Sequence, residues 1–403
     1  MAFLYAYEGF DQDRFDLSAL YYSRLDSQFR EDSFIDYGEA VLPDTYAIAY
    51  QTRLGLVATL FAGRDFRFEG GRAVGGTVNL IGEVNSDEVL SWMMGRVAVP
   101  LAEIQRASET LVRGDDRALI GRVLSGNDRM TLSDDADRAS GMAGDDTLFG
   151  NAGADTLGGG AGNDRLFGGA GADRLLMDAG ADRIAGGAGI DWLVVQGAGA
   201  VRVDLARTAA QATGLGRDTI LQVENIQGGA GDDRLLGDAG ANMLRGGRGD
   251  DRLFGRAADD SVEGGDGADH LDGGLGADRL LGGAGSDVLI GGLDADVLTG
   301  GSDADRFVLR TTGDSTAATM DRIVDFRQGE DLIDLSGIDA DRMLAGDQDF
   351  RMGEGTDDAP LTVRQLSGLN QTRILLDVDA DGRADAVIRL IGLVTLTEAD
   401  FIL

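Results

Sequence analysis

The sequence predicts a mainly β chain, a solenoid of short parallel strands preceded by a small N-terminal α+β domain. Three observations predict it. A nine-residue unit, Gly-Gly-x-Gly-x-Asp-x-U-x with U a large apolar residue, recurs seventeen times, in register from Val123 to Val194 and again from Gly228 to Val308. The 403 residues hold 63 glycines but only three prolines, which argues against a collagen-like or proline-rich disordered chain. The aromatic residues are segregated: all seven tyrosines lie between Tyr5 and Tyr50, and eight of the fifteen phenylalanines between Phe3 and Phe68.

Taken in order, residues 1–122 read as the α+β domain. Alternating apolar residues in 49–63, 65–70 and 76–84 predict strands joined by glycine turns. Pro100, with Leu101, Ile104 and Leu111 on one face, predicts a helix over 100–112, and 116–124 a second. The first repeat block covers 123–194; its unit 132–140 lacks the glycines and has Ala139 at the apolar position, as a terminal cap would. Residues 195–227 break the register. Their Val201, Val203, Leu205, Ile220, Leu221 and Ile226 predict two or three short strands packed on the solenoid. The second block covers 228–308, and 309–403 shift to alternating apolar residues.

Each unit divides into a six-residue loop and a three-residue strand. Glycines at positions one, two and four permit positive φ and a tight turn that a Cβ would resist. Strand alternation points U inward and positions seven and nine outward. The inward column runs from Met130 to Leu193 and from Leu235 to Phe307, a continuous apolar spine. Two units make one coil, so unit n stacks on unit n+2 and each edge carries its own ladder of loops. Loop carbonyls and the position-six carboxylates form a hard, all-oxygen donor set that suits Ca2+ over zinc or a softer metal.

The candidate metal ligands are therefore Asp128, Asp146, Asp155, Asp164, Asp173, Asp182 and Asp191 in the first block, and Asp233, Asp251, Asp260, Asp269, Asp278, Asp287, Asp296 and Asp305 in the second. Their loops are shaped by Gly159, Gly162, Gly168, Gly171, Gly246, Gly249, Gly264, Gly267, Gly282 and Gly285. One edge of the second block, Asp233 to Asp305, has no gap; the other has Asn242 for aspartate, with Ala258 and Asp294 at fourth positions. The second ladder is expected to be interrupted near Asn242. In the first block Met177 replaces a glycine in the unit ending at Asp182.

Charge agrees with a cation-dependent fold. With 70 acidic against 36 basic residues and no lysine, the net charge is −34. Nucleic acid and anionic membranes would be repelled by such a surface. Carboxylates stacked about 5 Å apart repel by roughly 0.8 kcal/mol per pair even in water. Without calcium, high charge and glycine entropy leave a narrow spine too little driving force, so ion binding becomes folding free energy. Nine units place arginine at position seven (Arg129, Arg138, Arg165, Arg174, Arg183, Arg234, Arg252, Arg279 and Arg306), expected to pair weakly with neighbouring carboxylates.

The repeats resemble the RTX (hemolysin-type calcium-binding repeat) family over 123–308. The tail resembles the C-terminal module of serralysin-type metallopeptidases, through DRIVDFRQGEDLIDLSGIDA (321–340), DVDADGRAD (377–385) and TEADFIL (397–403). The resemblance implies a right-handed parallel β-roll and export by a type I, ABC-transporter-driven system that reads an uncleaved C-terminal signal. A secreted, extracellular protein is then expected. That expectation fits a chain without cysteine and a segment 1–30 that carries Glu8, Asp11, Asp13 and Asp16 with no cationic start and apolar run. No apolar stretch is long enough to span a bilayer.

The resemblance stops short of the peptidase. Zinc chemistry of that kind needs three histidines, and this chain has one, His270, at an outward position seven. Gly-x-Ser-x-Gly and phosphate-loop motifs are also absent, as is any cysteine nucleophile. Asp377, Asp379, Asp381, Gly382 and Asp385 follow EF-hand spacing, but the twelfth position is Ile388 instead of glutamate. The reading is a secreted calcium-binding protein of the extracellular surface or matrix. Residues 1–122 would contact a surface polysaccharide or cell-surface ligand. The alternative is a secreted hydrolase using carboxylates such as Asp36, Glu39, Asp65 and Glu69.

Overall fold

A computed structural model describes residues 125–338, 369–379, 381 and 383–403 in full. It also gives the backbone strands Phe3–Ala6, Ser27–Arg30, Asp36–Tyr37, Ala40–Val41, Thr45–Thr52, Gly55–Glu69, Arg72–Val84, Leu90–Pro100 and Leu361–Leu366. Of the helices expected over 100–112 and 116–124, residues 101–112 and 116–124 lie outside the described residues, while Pro100 ends a strand instead of starting a helix. The chain divides into two compact units, Met1–Trp192 with Leu215–Val223, and Leu193–Gly214 with Glu224–Leu403. Both are built on a parallel β-roll.

In the first unit Arg129–Thr131, Thr147–Ala152, Arg165–Ala170, Arg183–Ala188 and Arg217–Leu221 stack in parallel on one side. Arg138–Ser140, Thr156–Gly158 and Arg174–Met177 stack on the other. The register pairs Leu148 with Leu166 and Leu166 with Ile184, one coil apart, and then Ile184 with Ile220 across the break in the repeat. The first rung is not left as an open edge. Phe3–Ala6 pairs parallel to it and antiparallel to Leu90–Pro100, which continues into the meander of 72–84, 55–69 and 45–52. An unpaired parallel edge would template association with another chain.

In the second unit Met243–Arg248, Ser261–Asp266, Arg279–Ala284 and Val297–Ser302 form one side. Arg234–Leu236, Arg252–Ala257, His270–Leu275, Val288–Leu293 and Arg306–Val308 form the other. The irregular segments supply rungs of their own. Arg202–Asp204 pairs Val203 with Leu235, and Asn225–Gln227 pairs Ile226 with Leu244. Thus residues 195–227, expected to lie on the solenoid, extend the spine itself.

Beyond the last repeat, Arg322–Ile323 and Leu332–Asp334 add a rung to each side, and Ala386–Ile391 and Phe401–Ile402 add the next. An antiparallel hairpin, Leu361–Leu366 with Gln371–Leu376, then pairs with Ala386–Ile391 and finishes one side. Asp400, 1% exposed, ties the chain end down by accepting the Gly329 amide (2.9 Å) and the Thr397 amide (2.7 Å).

The core of each roll is the U column, with Leu148, Leu157, Leu175, Leu235, Leu253, Leu271 and Leu289 fully buried. Burying one such leucine contributes about 2 kcal/mol. An uncompensated buried carboxylate costs several kcal/mol. One anchor per unit cannot offset one bare carboxylate per unit.

Candidate metal centres

All fifteen aspartates named from the sequence are buried, at 4% exposure or less. The strand register places each directly over its counterpart eighteen residues away, so every position-six side chain enters a loop ladder at an edge of the roll. In each ladder the amide of one aspartate donates to Oδ1 of the next. In the first unit the steps are Asp128 to Asp146 (2.6 Å), Asp146 to Asp164 (2.7 Å), Asp164 to Asp182 (2.8 Å) and Asp182 to Asp218 (2.8 Å). Opposite them run Asp137 to Asp155, Asp155 to Asp173 and Asp173 to Asp191, each 2.8 Å. The second unit carries Asp233 to Asp251, Asp269, Asp287, Asp305 and Asp331 on one edge, at 2.7–3.0 Å. The other edge carries Asn242 to Asp260, Asp278, Asp296 and Asp321, at 2.7–3.1 Å.

In ten of these aspartates the second carboxylate oxygen has no such partner. Oδ2 of Asp146, Asp155, Asp164, Asp173, Asp251, Asp260, Asp269, Asp278, Asp287 and Asp296 is buried and accepts no hydrogen bond. A buried anionic oxygen left this way is costly, and a cation is the group that satisfies it.

The loop glycines show where that cation would fit. A Cβ on Gly264 would collide with Asp269 Oδ2 and stand 2.7 Å from the Gly282 carbonyl oxygen. Gly246, Gly255, Gly273 and Gly282 repeat the arrangement, each against its own loop's aspartate and a carbonyl 2.6 Å away on the next coil. Position one is glycine for this reason, not for its φ. Positive φ falls at positions two and four, as at Gly265 (+123°), Gly162 (+146°), Gly171 (+140°), Gly249 (+108°), Gly267 (+140°) and Gly285 (+120°). The position-one glycines, expected from the repeat to take positive φ, do not take it. Gly159, Gly168, Gly246, Gly264 and Gly282 make room for oxygen.

Carboxylate, carbonyl and a tight oxygen-lined volume together fit calcium. The electrostatics agree. Burial, then the Asp296 and Asp260 carboxylates, push Asp278 up to about 8 against the lowering effect of the Asp260 amide. Burial likewise takes Asp146, Asp155, Asp251, Asp287 and Asp296 to about 7, each opposed by one backbone amide and raised further by neighbouring aspartates. Such groups give up their protons readily only to a cation.

The ladders differ where the sequence departs from the repeat. Asn242 Nδ2 donates to the Glu224 carbonyl (2.7 Å) and its Oδ1 accepts the Asp238 amide (2.8 Å). Arg256, at a second position with φ +87°, donates through Nη1 to the Gly237 carbonyl (2.7 Å) and to Asp204 (2.7 Å). Fixed donors thus meet the oxygens of the 237–242 loop. In the worn unit, the Ser133 amide (2.8 Å) and hydroxyl (2.7 Å) satisfy Asp137. Asp233 accepts from the Val201 (2.8 Å) and Gly229 (2.9 Å) amides.

Four ladder aspartates were not singled out from the sequence: Asp137, Asp218, Asp321 and Asp331. Their signal is short, an Asp-x-U triplet without the glycines, in Asp137-Arg138-Ala139, Asp218-Thr219-Ile220, Asp321-Arg322-Ile323 and Asp331-Leu332-Ile333. Of the position-seven arginines, Arg306 pairs with Asp334 (3.4 Å), whereas Arg129 and Arg234 lie over the Phe149 and Phe254 rings. His270 is half-buried against Phe254, and that burial lowers its pKa. In the tail, Asp377, Asp379 and Asp385 each bring one oxygen within 4.8 Å of the others. Ile388, where an EF-hand would place glutamate, is wholly buried in the core. Asp36, Asp65 and Glu69 lie on strands whose side chains are not described, and Glu39 lies outside the described residues.

Residues 124–157 and 158–193 match the family described as RTX calcium-binding nonapeptide repeat (4 copies). Residues 213–403 match the family described as Peptidase M10 serralysin C terminal. No curated protein matches the chain. Among solved structures, the AlgE6R3 subunit of Azotobacter vinelandii mannuronan C5-epimerase is 28% identical, covering 44% of this chain and 80% of that one with a TM-score of 0.20. The AlgE6R2 subunit of the same enzyme is 25% identical, covering 42% and 91% with a TM-score of 0.25. Extracellular lipase LipA from Serratia marcescens is 16% identical, covering 68% and 40% with a TM-score of 0.16.

Proposed function

We propose that this chain, an RTX-repeat protein with a serralysin-type C-terminal module, is secreted by a type I (ABC-transporter) route and completes its β-roll by binding calcium outside the cell. The observation that carries this reading is the file of buried, partnerless Oδ2 atoms facing carbonyl oxygens across glycines. Asp146, Asp155, Asp164, Asp173 and Asp182 would hold the ions in the first block, with Asp128 and Asp191 at its ends. Asp251, Asp260, Asp269, Asp278, Asp287, Asp296 and Asp305 would hold those of the second block, below Asp233. Low cytosolic calcium keeps such a chain unfolded and threadable, and higher calcium outside folds it.

The role we assign beyond this is attachment at an extracellular surface or matrix. The roll's carboxylates are committed to its own ladders, so recognition of a polysaccharide or cell-surface group would fall to the tyrosine-rich segment before residue 123. Circular dichroism of the full chain in chelator, followed by calcium titration, tests the first part. A cooperative gain of β signal is expected. Full strand content in chelator would overturn it. Retention of the calcium-loaded chain on a polysaccharide panel, without turnover of the glycan, tests the second.

A further inference from the structure

The loop spanning 177–182 departs from the repeat at two adjacent positions. Met177 stands at position one, where every other nonapeptide loop from Gly141 onward keeps glycine to leave room for Oδ2, and it is fully buried there. Asp178 stands at position two. Its carboxylate turns back onto the preceding coil and accepts the Gly160 amide (2.7 Å). The neighbouring residue, Gly159, is the one against which Asp164 Oδ2 is crowded, since a Cβ there would collide with that oxygen. Asp164 is 1% exposed and Oδ2 has no hydrogen-bond partner. One oxygen each from Asp164, Asp178 and Asp182 lies within 4.8 Å of the others.

We propose that Asp178 turns the place between the 159–164 and 177–182 loops into a three-carboxylate calcium site, the tightest in the first block. This rests on the reading of the ladders as calcium sites and adds a ligand that the nonapeptide does not contain. A regular loop pair offers two carboxylates and backbone oxygens; here a third carboxylate adds charge at a site whose walls are already fixed. Calcium affinity rises with carboxylate count and with rigidity. This site fills first as calcium rises, and its ion fixes two coils of the first block before the other sites are occupied.

Equilibrium dialysis of the full chain against calcium tests this, with Asp178→Asn as the decisive variant. The amide side chain keeps an oxygen for the Gly160 N–H and removes the charge. Wild type is expected to hold one ion at free calcium at least tenfold below the remainder. Asp178→Asn should lose that ion's advantage while the cooperative dichroism transition of the other sites persists. Asp269→Asn, in a two-carboxylate site, should weaken the main transition and leave the tight ion in place. Should Asp178→Asn fail to fold in saturating calcium, Asp178→Gly, which restores the repeat's own residue, must show the same loss. A tight ion unchanged in whichever variant folds would overturn the three-carboxylate site alone. Wild type binding no calcium would overturn both this site and the ladder reading.

Discussion

Glycines at the first and fourth loop positions serve different physical ends, and the difference can be measured. Gly267 has φ +140°, where a side chain is strained; Gly264 has ordinary φ, but a Cβ there would enter the space of Asp269 Oδ2. Gly264→Ala should therefore raise the calcium midpoint of folding sharply, since the added methyl displaces a ligand. Gly267→Ala should chiefly lower thermal stability in saturating calcium, by more than the about 1–2 kcal/mol of a left-handed side chain, because its Cβ would also collide with the Gly249 carbonyl oxygen. Equal effects of both on the calcium midpoint would contradict the separation. The converse change exists naturally: Asp294 sits at a fourth position with φ +82°. Asp294→Gly should gain about 1 kcal/mol in melting experiments with calcium present.

At the scale of the ladder, each aspartate would serve the two sites on either side of it, so losing one residue should disturb both. Asp251→Ala with Asp269→Ala interrupts the gap-free edge in its middle and should abolish most of the cooperative transition of the second unit. Asn242→Ala should cost far less, because the 237–242 loop is already met by Arg256 and by amide hydrogen bonds. Equal shifts in a calcium titration followed by dichroism would refute the difference between the edges. Asn242, with Ala258 and Asp294, is the sequence's ground for expecting an interruption of calcium binding on this edge, although the amide ladder itself continues through Asn242. The approach of Arg256 to that loop could not be read, since its guanidinium meets Gly237 and Asp204, 19 and 52 residues away in the chain.

For the whole molecule the governing quantity is the competition between protons and calcium for buried carboxylates. In an unfolded chain these aspartates titrate near 3.8; in the metal-free roll Asp146 and Asp251 titrate near 7 and Asp278 near 8. Between those limits the folded state holds more protons than the unfolded one, so metal-free stability is greatest at acid pH and falls as pH rises through the window. In chelator the chain should hold more strand content near pH 5 than near pH 8 by dichroism. Calcium binding should release protons, and the calcium midpoint should rise as pH falls from about 8 to about 5. A midpoint independent of pH would refute the carboxylate ladder as the binding element. Arg129–Thr131 is covered by Phe3–Ala6 of the N-terminal meander and Ala386–Ile391 by the antiparallel hairpin, so these two stacks of rungs do not end there in an open parallel edge.

What the sequence determined by itself was everything that repeats. A period of nine fixes which side chain faces inward, which six-residue stretch must turn and which carboxylate enters each turn, because strand alternation and glycine sterics act within one unit. What only the tertiary structure decided was whatever depends on stacking one coil on another. The coils that Val203, Ile220 and Ile226 complete, the ladder places of Asp218, Asp321 and Asp331, and the convergence of Asp178 on Asp164 all arise between residues distant in the chain. A local pattern specifies the rung; only the pairing of rungs brings together the oxygens that a metal ion would share.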